Sequence, residues 1–329
     1  MLYYAFWNPK FKREQQAVLA GRVRFEVEQR SPLGTSAILR RNIHRIEKGL
    51  IMRPRRDIFA VDYIGETMDC FVKALSSECE CSLCDQEYTW ARDVLTHYFD
   101  ITGSHPCINE QRHRFRRVSS DRVTAHYPDR NDMCRPYVRA EDFDAVTYID
   151  FFALTKRRRS VRWFKPDRVP RELIQQAVAA AAQSPSACNR QPFEFRVFDD
   201  PKMVSKVAPL PAGTTGFHHN FPVVAVVVGH MSSYYDERDR HLIYIDGGLA
   251  AMGFVYALET LGLSSCCINW PDIEERERDA AAVLGLSIDQ RPIMFLAVGY
   301  PDATGMVPYS EKKPLSQLCR FNVTASGPV

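Results

Sequence analysis

The sequence predicts an α+β fold. An N-terminal helical unit is followed along the chain by helices that alternate with the strands of a small central sheet. Three observations support this. Val223–Val228 is an uninterrupted apolar run, which is typical of a strand buried on both faces. Leu242–Leu261 is long, largely apolar and rich in small residues, which favours a closely packed helix. Apolar residues between positions 37 and 99 recur at helical spacing.

The N-terminal unit is predicted to span residues 1–140. Residues 1–30 show no clear period, and three helices are expected after them. Their apolar residues are Ala37, Ile38, Ile43, Ile46, Leu50 and Ile51, then Val61, Ile64, Met68, Phe71, Val72 and Leu75, then Trp90, Val94, Leu95, Tyr98 and Phe99. Residues 101–140 are rich in charge, Pro and Asn, which predicts a basic linker or surface loop. The alternative for that segment is a site for an anionic substrate.

Residues 141–329 are predicted to form a second domain. Apolar residues at helical spacing lead into Arg157, namely Phe143, Val146, Ile149, Phe152 and Ala153. A further helix is expected over residues 171–183. Besides Val223–Val228, strands are expected at Phe193–Phe198, Cys266–Ile268 and Ile293–Val298.

Composition excludes several functional classes. Hydrophobic residues make up 45% and charged residues 25% of the 329 positions, as in a soluble globular protein. No run of eighteen apolar residues occurs, so no membrane insertion is expected. The start of the chain is too short and too aromatic for a signal peptide, and the expected location is the cytoplasm. Residues 1–140 carry 23 Lys and Arg against 18 Asp and Glu, too mild an excess to predict nucleic-acid binding.

Ten cysteines in such a chain are expected to be free thiols. One cluster, Cys79-x-Cys81-x-x-Cys84, has enough thiols to contribute to a zinc site, with His97 or Cys107 as a fourth ligand. The usual paired C-x-x-C spacing is missing, so the prediction is no metal and plain reduced thiols.

Two polar clusters flank the helix predicted over residues 171–183. In the first, Arg158, Ser160 and Arg162 occupy alternate positions, so in an extended chain they face the same way. Two guanidiniums and a hydroxyl suit a phosphate group. The second cluster follows the helix, which cannot continue through Pro185. Asn189 and Gln191 there offer amides that both donate and accept, as recognition of a heterocycle edge requires.

These clusters resemble motifs of the flavin-dependent nitroreductase family. The matching residues are Arg158-Arg159-Ser160-Val161-Arg162 and Ser184-Pro185-Ser186-x-x-Asn189-x-Gln191-Pro192-Phe193, and the similarity extends over residues 143–320. The resemblance implies a nitroreductase-like sandwich with a mostly antiparallel sheet, a homodimer and bound FMN. It places the ribityl phosphate on Arg158, Arg159, Ser160 and Arg162. The flavin and ribityl chain would lie along Pro185, Ser186, Ala187, Asn189 and Gln191.

Three later segments fit the same resemblance. Asp246-Gly247-Gly248-x-Ala250 opens the long helix. The turn Leu261-Gly262-Leu263 leads into the strand beside the flavin, where Cys267, Ile268 and Asn269 are expected to contact it and the Asn269 amide to face flavin N5. Lys312 and Lys313 stand where the family has its C-terminal phosphate-binding cation.

Two departures from the family pattern affect the expected pocket. Trp270 occupies a position that is often glycine, where it either narrows the pocket or packs in the core. Only His230–His241 separates the second strand from the long helix, where many nitroreductases carry a longer cap over the substrate. The N-terminal unit is the expected cover, and its basic residues would favour an anionic acceptor. The alternative is that this unit only stabilises a dimer or docks a partner.

The function implied is electron transfer from NAD(P)H through FMN to a small acceptor, for which an anion is one candidate, by a ping-pong mechanism. No G-x-G-x-x-G motif follows a strand, but the resemblance requires none, since in the family NAD(P)H stacks on the flavin. No catalytic side chain is assigned. Two other functions stay open: a flavin-holding protein with a structural or regulatory role in a biosynthetic assembly, and a flavin-cleaving relative.

Overall fold

The computed structural model describes residues 11–28, 36–75, 84–119, 134–139, 146–324 and 327–328. Its helices are α1 (Lys12–Glu28), α2 (Ala37–Leu50), α3 (Ile64–Lys73), α4 (Asp85–Ile101), α5 (Pro106–Val118), α6 (Tyr148–Arg157), α7 (Arg171–Ala181), α8 (Pro201–Val207), α9 (Leu242–Thr260), α10 (Glu274–Leu284) and α11 (Leu315–Leu318). Its strands are β1 (Phe193–Phe198), β2 (Val223–His230), β3 (Ser264–Asn269), β4 (Gln290–Gly299), β5 (Val323–Thr324) and β6 (Gly327–Pro328). Residues 1–10, Cys79, Cys81, Glu141 and Phe143 lie outside the described ranges.

The central sheet is antiparallel throughout, in the order β1-β2-β4-β3. Val223–Gly229 of β2 is buried, because this strand lies inside the sheet and both of its faces are covered. One face packs on α8 and α10, and the other on α7 and α9. The predicted α+β fold with an antiparallel sheet is confirmed.

Helices α2 to α5 enclose a separate core. Leu39, Ile43, Ile64, Phe71 and Tyr98 are among its fully or almost fully buried members. Ser36 caps α2 by accepting a hydrogen bond from the Leu39 amide at 3.2 Å. The three predicted N-terminal helices are therefore present, although the boundary predicted at residues 140/141 stays a prediction.

The prediction of a linker or loop over residues 101–140 is wrong for Pro106–Val118, which is α5. Pro106 stands in the first turn, where its missing N–H removes no hydrogen bond. Ile108, Gln111 and Phe115 face the core, while the arginine run occupies the other faces. Arg112 donates to the carbonyls of Phe99 and Thr102 at 2.9 and 2.8 Å. The charge run is thus the polar side of an amphipathic helix.

Helix α1 lies in a segment whose sequence shows no clear period. Its buried residues recur every four positions, at Arg13, Ala17, Gly21 and Phe25. Its opposite side also carries apolar residues, and they are exposed: Leu19, Val23 and Val27. Because apolar residues occur on both sides, the helical pattern cancels in the sequence.

Helix α1 packs on the domain that contains the sheet. A Cβ atom on Gly21 would stand 2.5 Å from Met231 Cβ, so only glycine allows this approach. Arg22 pairs with Glu237, and Phe25 contacts the Tyr235 ring at a centroid distance of 5.7 Å. The short connection between β2 and α9 is therefore covered by α1.

The long helix α9 crosses the sheet and packs closely against α7. Gly253 permits this, since a Cβ atom there would stand 3.3 Å from the Ala181 Cα. Within the described residues, Glu237–Thr260 is long and apolar enough to cross a membrane by length and composition. Ile243, Phe254 and Leu258 are fully buried, as expected for the core helix of a folded domain.

Candidate functional site

The first polar cluster lies along the outer edge of β3. Ser160 forms a parallel bridge with Ser265, and the Val161 amide donates to the Ser265 carbonyl at 3.1 Å. Neither Arg158 nor Arg162 is paired with a carboxylate among the described residues. Two half-buried guanidiniums without an acid partner leave positive charge beside this strand.

The C-terminal segment reaches the same place. Arg159 donates to the Tyr309 carbonyl at 2.6 Å, on the side away from Arg158 and Arg162. Lys312 and Lys313 follow three and four residues later, and both are exposed. The predicted C-terminal cations thus belong to a segment anchored next to the predicted phosphate residues.

One face of strand β3 carries exposed side chains between the first polar cluster and the C-terminal end of the strand. Cys267 and Asn269 are exposed on one face, whereas Cys266 and Ile268 point into the core. Ile268 can therefore contact a cofactor only through its backbone. From Ser265 to Asn269 the strand advances about 13 Å at the usual rise per residue.

The second polar cluster is a strained turn between α7 and β1. Cys188, Asn189 and Gln191 all have positive φ angles, of 54°, 53° and 50°. Non-glycine residues rarely adopt this region, and such strain is frequent at ligand sites. The Gln191 side-chain amide donates to Asn189 Oδ1 at 3.0 Å, which fixes both side chains.

Several hydrogen bonds hold this turn in place. The Ala187 amide donates to Asp246 Oδ2 at 3.0 Å, and Tyr234 donates to the same oxygen at 2.7 Å. The backbone amide of Gln191 donates to Ser186 Oγ at 3.0 Å. Asp246 is 3% exposed, so the start of α9 provides a buried carboxylate that positions the turn.

The two clusters do not meet within one chain. The first lies beside Ser265, which pairs with Val298, and Val298 pairs with Val223. The second precedes Phe193, which pairs with the opposite end of β2 at Gly229. Ser265 and Phe193 are separated by three strand spacings across the sheet and six positions along a strand, which together amount to about 25 Å.

The N-terminal unit contacts the second cluster through α2. Arg40 Nε donates to the Asn189 carbonyl at 3.0 Å, while its Nη1 pairs with Glu87 at 3.0 Å. Arg45 stacks over the Tyr63 ring at 3.7 Å. The basic side of α2 is thus partly engaged by protein groups rather than wholly presented to solvent.

No metal-binding group of three His, Cys, Asp or Glu side chains occurs in the described part of the chain. Cys84 is exposed, while its neighbours Cys79 and Cys81 lie outside the described residues. Burial raises the pKa of Cys266, which keeps that thiol protonated near neutral pH.

A comparison with protein families decides the classification. Residues 155–215 and 212–300 match the model of the nitroreductase family. Residues 155–300 belong to the nitroreductase family.

Individual relatives are distant. Iodotyrosine deiodinase 1 of Sus scrofa is 25% identical over 197 residues, which cover 51% of this chain and 67% of that protein. YdgI of Bacillus subtilis, named as an NAD(P)H nitroreductase, is 26% identical over 197 residues, with coverage of 49% and 92%. The structure of an FMN-dependent nitroreductase from Clostridium difficile R20291 has 22% identity, coverage of 48% and 92%, and a TM-score of 0.42.

Trp270, the residue that departs from the nitroreductase pattern, packs in the core. Its ring stacks on Phe295 at a centroid distance of 5.0 Å, and Nε1 donates to Glu277 at 2.6 Å. Of the two alternatives for Trp270, the structure supports core packing.

Sequence reasoning missed two groups at the second polar cluster. Asp246 was assigned only to the start of the helix, although it holds the second cluster. Arg190 has no distinguishing sequence signal, yet its guanidinium lies 4.8 Å from the Tyr234 ring centre. Only the fold brings these residues together.

Proposed function

We propose that this protein is an FMN-dependent oxidoreductase that transfers electrons from NAD(P)H to a small acceptor. The observation that carries the proposal is the exposed face of β3 beside Arg158 and Arg162, in a member of the nitroreductase family. Relatives named as NAD(P)H nitroreductases support the choice of electron donor.

The residues present fit FMN. Arg158, Ser160 and Arg162 would hold the phosphate, with Lys312 or Lys313 adding charge from the anchored C-terminal segment. The exposed edge of β3 leaves backbone groups free, including the amide assigned to Asn269. The Asn189 and Gln191 side chains would complete the site from a second copy of the chain.

When bound, FMN supplies the two-electron redox chemistry that links NAD(P)H to the acceptor. The chain itself binds, orients and neutralises charge. Donors near the redox end would stabilise negative charge as an oxyanion hole does. We assign no catalytic side chain, because the buried Cys266 thiol is held neutral.

We expect the protein to purify yellow with one FMN per chain. Arg158→Ala or Arg162→Ala should weaken FMN binding by about 1–3 kcal/mol, because each removes a charge-assisted contact to phosphate. Flavin absorbance after dialysis and fluorescence titration of the FMN-free protein measure this. Arg278→Ala on the exposed side of α10 is the control, and it should bind FMN as the parent does. Equal affinity in all four proteins would disprove the phosphate assignment.

The positions of the two clusters support a homodimer. Since they lie about 25 Å apart in one chain, one flavin can meet both only if two chains contribute. Exposed apolar side chains favour such a contact. No residue of α6 is buried, although the helix carries large apolar side chains. Of these, Tyr148 and Ile149 are 74% and 76% exposed. Ile245 and Leu249 extend this apolar surface on the outer side of α9.

We expect a dimer in analytical ultracentrifugation at micromolar concentration. The double change Ile245→Glu and Leu249→Glu should give monomers that have lost FMN, because charge would be buried in an apolar interface. Ile288→Glu, at a comparably exposed position in the loop before β4, should leave the dimer intact. A wild-type monomer that still binds FMN would exclude the shared site.

Activity is tested by steady-state oxidation of NADH and NADPH with a quinone and with a nitroaromatic compound. Relatives named iodotyrosine deiodinase favour a second candidate, reductive removal of halogen from an aromatic acceptor. Iodotyrosine therefore serves as a third acceptor, with iodide release as the readout. No turnover with any acceptor, in protein that holds FMN, would favour a structural or regulatory role.

A further inference from the structure

A cavity of about 540 Å³ lies between the N-terminal helices and the strained turn. This volume is in the range of small-molecule sites. The N-terminal turn of α2 lines one side, with Ser36, Ala37 and Ile38. The opposite side is formed by Arg190 and Gln191, together with His230 at the end of β2 and Ser232 just after it. Phe25 and Phe193 add aromatic surface.

Three arginines line this cavity, and two are already paired. Arg24 binds Glu28 at 2.7 Å and Asp289 at 3.3 Å, and Arg40 binds Glu87 at 3.0 Å. Arg190 has no carboxylate within ion-pair distance among the described residues. Its Nε is buried and makes no hydrogen bond. An arginine so placed carries a charge that no described acid pairs with.

The groups that act on Arg190 leave it short of negative charge. Burial lowers the pKa of Arg190, and the neighbouring Arg41 acts in the same direction. Asp239 acts in the opposite direction from beyond ion-pair distance, and Tyr234 provides only a ring face. On the other side of the cavity, Glu87 accepts from the Ser36 amide at 3.0 Å and pairs with Arg40 at 3.0 Å, so this carboxylate is already engaged by α2.

We propose that this cavity is the acceptor site and that Arg190 binds an anionic group of the acceptor, such as a phosphate, sulfonate or carboxylate. This inference rests on the proposed function. Gln191 lines the cavity and also belongs to the motif assigned to the flavin, so an acceptor held here would adjoin the redox site. The hydroxyl of Ser232 is a further donor for such a group, whereas His230 is already engaged by Glu194 at 3.6 Å.

One shared chemistry could serve two ligands, since NAD(P)H also carries phosphates. The anionic group at Arg190 could therefore belong to the acceptor or to NAD(P)H, and binding of each to the protein is measured separately to distinguish them. Anthraquinone-2-sulfonate and 2-(hydroxymethyl)anthraquinone form a pair that differs in charge on the same ring system. NADH and NADPH binding gives the comparison for the electron donor.

The test is calorimetric binding of both anthraquinones to the full-length protein, with FMN and after its removal. Arg190→Gln should weaken binding of the sulfonate by about tenfold or more, the size expected for one charge-assisted contact, and leave the neutral analogue unchanged. Arg190→Lys should retain part of the affinity. Arg45→Gln, on the same helix as Arg40 but stacked on Tyr63, is the matched control and should change neither.

The outcomes distinguish the two proposals. A preference for the sulfonate that depends on Arg190, in FMN-loaded protein that oxidises neither NADH nor NADPH with any acceptor, keeps the anion site and overturns the proposed redox function. Protein with FMN whose sulfonate affinity is unaffected by Arg190→Gln overturns the anion site alone. Loss of NADPH affinity without loss of sulfonate affinity would assign Arg190 to the electron donor and overturn the acceptor assignment.

Discussion

A chain that begins at Glu141 should keep FMN but lose the full-length protein's preference for anionic over neutral acceptors. The residues assigned to FMN all lie after position 157, so the flavin site stays complete. Arg190 also remains, but the helices α1 and α2 that form the other wall of its cavity are removed. Water then screens the Arg190 charge, and its attraction for an anion falls steeply. We expect the ratio of rates with sulfonated and uncharged quinones to fall by about tenfold.

A full-length variant tests the same cover without deleting it. Gly21→Ala places a Cβ atom 2.5 Å from Met231 Cβ and 2.8 Å from its backbone carbonyl carbon, which prevents α1 from seating. Gly65→Ala in α3 is the matched control, because no atom lies within 4 Å of the added carbon. The control should gain up to about 1 kcal/mol of stability from helix propensity. Gly21→Ala should instead increase protease cleavage near α1 and reduce the preference for anionic acceptors.

The truncated protein also provides the result that would contradict a lid. If the truncated protein holds FMN and treats both acceptor types as the full chain does, the N-terminal unit is not a lid. The unit would then serve dimer stability or a protein partner, and the preference for an anionic acceptor would fail with it.

Arg291→Met should lower the free energy of unfolding by about 3–5 kcal/mol, the usual cost of leaving a buried charge unpaired. Arg291 is 2% exposed and pairs with Glu14 of α1 at 2.9 Å, Asp272 at 2.9 Å and Glu277 at 3.3 Å. Burial raises the pKa of Glu277, and Arg291 opposes that rise. Without the guanidinium, the described residues leave the Glu277 carboxylate only the Trp270 N–H at 2.6 Å and Arg13 at 3.8 Å.

Denaturant unfolding of three variants isolates this effect. The double change Arg291→Met and Glu277→Met should recover much of the loss, because an apolar pair leaves no charge to compensate. Arg171→Met breaks an exposed pair with Asp199 and should cost less than about 1 kcal/mol. A loss of similar size for Arg291→Met and Arg171→Met would show that the buried network contributes nothing beyond a surface ion pair. Protease cleavage at α1 should accompany the Arg291 effect, since Glu14 anchors that helix.

Elements with a strong period were predictable from the sequence. The apolar run at Val223–Val228 is buried in β2, and the small residues of α9 do pack closely on α7 and the sheet. These patterns are local, because strand and helix periods are set by backbone geometry alone. Where a helix carries apolar residues on two sides, as in α1, or a dense charge run on its polar side, as in α5, the local pattern misleads.

By itself the sequence determined the α+β class, the resemblance to the nitroreductase family and the two polar clusters. Tertiary structure alone decided where those clusters lie, at opposite ends of the sheet, since strand order is not encoded in the spacing of residues. It also decided that Trp270 packs in the core and that α1 covers the β2–α9 connection. Trp270 donates to Glu277, and Glu14 of α1 pairs with Arg291. These residues are far apart in sequence, and buried charges become partners only when the fold brings them together.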